Sequence, residues 1–383
     1  MRPAEDTAEP AGGRPAATAE HRSGSAPGTG EGPQPHRSGP APATMEGPQP
    51  RRSASVLVSG LVVTAGVLAL VAMASVALGA RSVPLSTVID ALLAPDGSSD
   101  HVVIRELRIP RTLLGIGVGA TLGLAGALIQ SLTRNPLADP GLLGINEGAA
   151  LGVTLALGLF GLSDPAVYVW FAFGGAAVAS VVVYALAAAG RSGAGPVRLA
   201  LAGVALGMVF TAVASAILRM DAQTFDRMRF WLTGSLAGQD ADTLVRLAPF
   251  MVAGLALGLT LARPLNMLSL GDDAGRSLGV AVGRTRVLTG VAVTLLCGAA
   301  TAAAGPLWFV GLVVPHAVRA LVGGDQRWVL PYSALAAPVL LLGADVVGRL
   351  IARPGEVQVG IVWAVIGAPI FILLARRRRV AAL

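Results

Sequence analysis

Four stretches of this chain, residues 53–80, 112–133, 165–190 and 199–218, contain no charged side chain at all. A helix of about 20 apolar residues crosses the ~30 Å hydrocarbon core of a bilayer. A soluble helix of that length needs a polar face, and none of the four stretches supplies one. Charged residues make up only 13% of the whole chain, against roughly 25% in a soluble domain. The 49 glycines suit helices that approach one another closely inside lipid. These observations predict an all-α polytopic membrane protein and exclude a large soluble helical domain.

The apolar runs resolve into ten spans, at about 55–79, 111–132, 142–160, 165–189, 198–218, 244–262, 285–303, 306–322, 329–351 and 357–375. The run from 287 to 315 is too long for one crossing. It is divided at "AGPLW", residues 304–308, because proline cannot continue a helical hydrogen-bond ladder. Residues 1–52 are rich in Pro, Gly, Ala, Ser and Glu and carry no apolar period, which predicts a disordered low-complexity tail. The membrane-spanning body then runs from 53 to 383.

Every basic residue except histidine is arginine; the chain has no lysine. A phosphate-binding loop of the form GxxxxGK[ST] needs that lysine, so no standard ATP-hydrolysing site is expected here. The histidines at 21, 36, 101 and 316 have no metal-ligand partner three or four positions away, so no metal site is expected. No GxSxG motif occurs, and no predicted span holds paired carboxylates. The single cysteine, Cys297, lies in an apolar run and reads as a packing residue. The chain is expected to be a conduit rather than an enzyme, with no cofactor and no nucleic-acid partner.

With the amino terminus inside, arginine placement favours the cytoplasm: Arg51, Arg52, Arg134, Arg191, Arg198, Arg263, Arg276, Arg284, Arg286, Arg319, Arg327 and "RRRR" at 376–379 fall there. Both termini are then cytoplasmic. Ten arginines fall outside, among them Arg105, Arg108, Arg111, Arg349 and Arg353, which suggests an acidic partner on that face. Asp345 and Arg349 lie one helical turn apart in span nine. Two readings stand: an i,i+4 pair that neutralises itself, and a polar wall of a water-filled cavity. Gln130, near the inner end of span two, reads as an interhelical hydrogen-bonding group.

"RNPLADPGLLG", residues 134–144, interrupts two apolar spans. Pro136 pushes Asn135 out of helical geometry, and Asp139-Pro140 favours a turn. A stiff, non-helical loop is expected at the cytoplasmic mouth.

Three long stretches then resemble FecCD-type permeases, the membrane subunits of importers for ferric siderophores, haem and cobalamin. They are "RIPRTLLGIGVGATLGLAGALIQSLTRNPLADPGLLG" (108–144), "LGDDAGRSLGVAVGRTR" (270–286) and "GPLWFVGLVVPHAVRALVGGDQRWVLPYSALAAPVLLLGADVVGR" (305–349), followed by "VGIVWAVIGAPIFILLARRR". The resemblance implies ten helices per subunit and a second permease subunit, identical or paralogous, around one pathway. It also implies two separate ATPase subunits that use the ATP, an extracytoplasmic substrate-binding protein, and a bacterial cell membrane. Ferric siderophore uptake by alternating access is the implied function.

By the same resemblance, Arg108, Arg111 and Arg349 are expected to receive glutamates of the binding protein or, with Asp345, to line the entry cavity. The 263–286 loop is expected to be a cytoplasmic coupling segment, with Asp272, Asp273, Arg276, Ser277, Leu278 and Gly279 in a short helix and glycine turn against the ATPase. Asn135 and Leu137 are expected in the inner gate, against the plain reading of a tight turn, with the loop 191–198 as a second element. Four positions depart from the family pattern: Gln326 stands where histidine is common, "EVQVG" at 356–360 lacks a proline, Trp363 replaces threonine, and Glu147 replaces a small residue. A secondary transporter coupled to ions or protons is the alternative, with Asp345 as its buried carboxylate.

Overall fold

The computed structural model describes residues 53–79, 83–189, 196–238 and 241–376. The tail at 1–52, most of the 191–198 loop and the last arginines of "RRRR" lie outside them. The described chain opens with α1 (Ala54–Ala77), α2 (Leu85–Leu93), α3 (Ser99–Val102), α4 (Ile109–Thr133) and α5 (Ile145–Gly158). It continues through α6 (Pro165–Ala188), α7 (Pro196–Met220), α8 (Ala222–Leu232), α9 (Ala241–Thr260) and α10 (Ala262–Leu268). It closes with α11 (Asp272–Ser277), α12 (Val282–Ala304), α13 (Val310–Val322), α14 (Gln326–Ile351) and α15 (Val359–Arg376). No strand occurs among the described residues.

Each of the ten expected spans coincides with a helix. Among the described residues, seven helices are long and apolar enough to cross a membrane: α1, α4 with the turns before it, α6, α7, α9, α12 and α14. Apolar α13 and α15 are shorter, and α5 has 14 residues.

The short helices have a local cause. α5 starts at 145 rather than 142 because Pro140–Leu143 forms a 3-10 turn and Gly144 takes a left-handed conformation. α13 starts at 310 rather than 306 because Gly305 and Phe309 both have positive φ. Non-helical backbone at such depth is tolerable only where protein surrounds it, and Ala138, Gly141, Leu143, Gly305 and Leu307 are indeed buried.

α4 lies at the centre; 78% of its most apolar window is buried, against 6% for α1. Small residues allow that position. A Cβ on Gly123 would come within 2.3 Å of the Ser333 carbonyl oxygen of α14, and one on Gly126 would overlap the backbone of Gly311 in α13. α4 therefore touches both neighbours backbone to backbone, the packing that dispersion rewards inside lipid.

α1, by contrast, buries only Leu57 and Ser75. It is tied by polar contacts at its ends. Tyr332 of α14 donates its hydroxyl to the Leu57 carbonyl at 2.5 Å, and Ser75 shares a hydrogen bond with Thr112 of α4 at 2.8 Å.

Candidate functional site

At the Arg111 end of the bundle, α1, α4 and α14 meet in a buried ion cluster. Asp345, fully buried, accepts from Arg111 Nε at 3.1 Å and Nη2 at 2.7 Å. Arg349 Nη2 lies 3.0 Å from the same carboxylate, one turn along α14. Arg111 also reaches Glu356 at 2.8 Å. The i,i+4 pair read from the sequence is present, with Arg111 as a third member.

The remaining guanidinium groups close the end of α1. Arg349 donates to the carbonyls of Ser75 and Leu78, Arg108 to those of Val76 and Ala77, and Arg353 to that of Gly79. The last carbonyls of a helix lack intrahelical partners and carry its negative dipole end, so cations there are doubly favourable. Arg108 and Arg349 are buried. Asp345 and Arg349 thus form an ion core rather than an open cavity wall in this single chain. Glu356 leads outward from that core to a cavity of about 400 Å³ that it lines with Tyr168, Arg227, Trp231 and Gln358.

At the opposite, Arg134 end, "RNPLADPGLLG" folds as a stiff loop. Asn135, exposed, accepts from the Leu137 amide through its side chain at 3.0 Å. Asp139 does the same for Gly141 at 2.8 Å. Both are Asx turns, which fix backbone direction locally. Leu137, Asp139 and Glu147 line a cavity of about 620 Å³ with Gly207 and Thr211 of α7 and Trp308 and Phe309 before α13. Asn135 is not among its lining residues. Glu147, the unusual acid of the family comparison, leaves a buried Oε2 without a hydrogen-bond partner. Trp363 packs into the core at 2% exposure.

The 263–286 segment forms α10, α11 and the start of α12. Gly271 (φ 112°) starts α11 and Gly279 (φ 84°) turns the chain after it, as the "DDAGRSLG" pattern predicts. Asp273 pairs with Arg276 at 2.7 Å on the outside of the knob. Ser277 bonds the Ala274 carbonyl, and Leu278 is exposed. Asp272 turns inward instead, to Arg134 at 2.5 Å and Arg286 at 2.6 Å. Partial burial opposes its charge. The hydrogen bond from Arg134 and the charges of Arg286, Arg134 and Arg276 outweigh that and hold the carboxyl below its ordinary value.

Sequence reasoning missed several of these contacts. Gln130 does hydrogen-bond between helices, donating to the Gly311 and Leu312 carbonyls of α13. Its oxygen also accepts from half-buried Arg319, a partner 189 positions away. Nothing local marks Ser75, Tyr332 or Glu356 as members of their clusters.

The model of the FecCD transport family matches residues 67–377. The chain belongs to the FecCD transport family. It is 47% identical over 328 residues to the ferric enterobactin transport system permease protein FepD of Escherichia coli K12, covering 85% of this chain and 98% of that one. It is 41% identical over 305 residues to the Fe(3+)-citrate import system permease protein YfmD of Bacillus subtilis 168, covering 80% and 90%. Among solved structures, a metal-chelate type ABC transporter in an inward-facing conformation matches this FecCD chain with a TM-score of 0.72 and 27% identity. That match covers 85% of this chain and all of the other.

Proposed function

We propose that this FecCD chain is the permease subunit of an ATP-binding cassette importer that takes up a ferric siderophore chelate. The observation that carries the reading is the 47% identity, over 328 residues, to a ferric enterobactin transport system permease protein. Together with the helical bundle it makes the chain a multi-pass membrane protein. The iron arrives already chelated, so the permease needs no metal ligands of its own.

In this reading the Arg134 end faces the cytoplasm, with both ends of the ten-helix body, and α11 with Leu278 meets a separate ATPase. The Arg111 end faces outward to a substrate-binding protein. Arg108 and Arg349 hold α1, so the docking charge falls to the exposed Arg105, Arg227, Arg229, Arg246 and Arg353 and to the Arg111–Glu356 pair beside them. The apolar side of α7, with Leu201, Met208 and Val213 exposed, faces the pathway and a second permease subunit. Leu137 and Asn135 stand at its inner mouth.

Asp345, the carboxylate on which the proton-coupled alternative rests, is gripped by two guanidinium groups, which argues against it as a proton-coupling group. Deleting the gene and supplying single ferric siderophores as the iron source tests the importer reading. Growth on at least one chelate should be lost and return with the intact gene. A deletion strain that uses every chelate the parent uses contradicts it.

A further inference from the structure

Arg134 stands where three chain segments meet. It closes α4 in a left-handed conformation, φ 49° and ψ 33°, which L side chains seldom adopt. Glycine is the usual residue at such a helix end. An arginine there is worth its backbone strain only if its side chain has work to do. Its Nε donates to the Leu268 carbonyl at the end of α10, 3.0 Å away, and its Nη2 to Asp272 of α11 at 2.5 Å. The second oxygen of Asp272 takes Arg286, in the first turns of α12, at 2.6 Å.

The loop that follows Arg134 is built to move as one piece. The Asn135 amide donates back to the Gln130 carbonyl, the Leu137 amide is held by the Asn135 side chain, and the Ala138 amide bonds the Asn135 carbonyl. Pro136 and Pro140 fix two further backbone angles. Pro140 also lies against Gly311, where a Cβ would come within 2.9 Å of its ring. A short, stiff line therefore runs from α11 through Asp272 and Arg134 to Leu137, which lines the large cavity. The opposite side of the α11 knob presents exposed Leu278.

We propose that Arg134 is a positioning residue that carries displacement of α11 to Leu137 at the inner mouth, with Asp272 as the link. This rests on the reading of α11 as the ATPase-facing knob. The Asp272–Arg286 bond keeps the link aligned with α12, so that knob, loop and helix shift together. The ion pair is partly exposed, with side-chain exposures of 34% and 28%, and such pairs add little to stability. Its use is geometric.

The decisive variant is Arg134→Gly. Glycine adopts the left-handed conformation without strain, so a merely structural Arg134 predicts a stable and fully coupled permease. The whole complex, with ATPase and binding protein, is reconstituted in vesicles, and ATP hydrolysed per ferric siderophore taken up is measured. Arg134→Gly and Asp272→Asn should keep hydrolysis within about twofold of the parent while uptake falls roughly tenfold or more. The double variant should be no worse than either single one, as for two residues acting through one contact. Arg286→Gln, which leaves the Arg134–Asp272 bond in place, should be milder. Variants with the parental ratio, or with hydrolysis and uptake falling in proportion, overturn the link alone. A parental complex whose uptake proceeds without hydrolysis overturns the importer reading and the link with it.

Discussion

Arg111 and Asp345, 234 positions apart, are joined by a two-pronged ion pair at 2.7 and 3.1 Å across α4 and α14. The same carboxylate holds Arg349, whose Nη1 donates to the Ser75 and Leu78 carbonyls at the end of α1. One fully buried aspartate therefore organises three helices at the Arg111 end. Removing one partner of a buried pair leaves an uncompensated charge and costs about 3–5 kcal/mol. Asp345→Ala is expected to lower stability by that order, read as the midpoint of thermal unfolding in lipid nanodiscs. Asp345→Leu combined with Arg349→Met should recover part of the loss, because Arg111 still has Glu356. A single variant as stable as the parent would remove the organising role.

α1 depends on its opposite end as well. Tyr332→Phe deletes the hydroxyl that bonds the Leu57 carbonyl, a loss of about 0.5–1.5 kcal/mol. Gly60→Val should cost more, because a Cβ there would lie 2.3 Å from the Tyr332 hydroxyl oxygen and force the ring away. Limited proteolysis of the permease in nanodiscs should release α1 faster from the Gly60 variant than from the Tyr332 one.

The cavity beside Leu137 is open to chemical probing. The one native thiol, Cys297, is buried at 2% exposure, so the parent should resist hydrophilic thiol reagents. Leu137→Cys places a thiol on the wall of the 620 Å³ cavity. It should be labelled in the resting complex, and the labelling rate should change several-fold when ATP binds to the partner subunits. A rate indifferent to nucleotide would take Leu137 out of the gate.

The pH dependence of the Arg134–Asp272 pair follows from its sign. The Asp272 carboxyl is held below its ordinary value in the folded chain. Its contribution is therefore complete above the unfolded value of about 3.9. It fades only as pH falls through the lower folded value. The coupling measured between these two residues by a double-variant cycle should be flat from about pH 8 to pH 5. A decline within that window would mean that Asp272 titrates as a raised carboxyl.

How far the sequence could be read depends on distance along the chain. The charge-free runs foretell α1, α4, α6 and α7 because lipid admits little else. The late starts of α5 and α13 were not foreseeable, since the positive φ of Gly144 and Phe309 belongs to the packed loops. α8 falls between the expected spans at 198–218 and 244–262. Its signal was local: Asp221 caps it by accepting from the amides of Gln223 and Thr224, a helix-start pattern with no apolar run behind it. Asp345 and Arg349 were legible because one helical turn separates them. Arg111, Glu356 and the Arg134–Asp272 bond were not, because only the fold brings them together.

This FecCD chain is proposed to pass a ferric siderophore chelate at the expense of ATP hydrolysed by a partner. The most direct measurement is uptake of radiolabelled ferric siderophore into vesicles holding the chain, its ATPase and its binding protein. Uptake should require ATP and stop when the ATPase is replaced by a hydrolysis-deficient variant. Uptake that persists with that variant and follows an imposed proton gradient would contradict it.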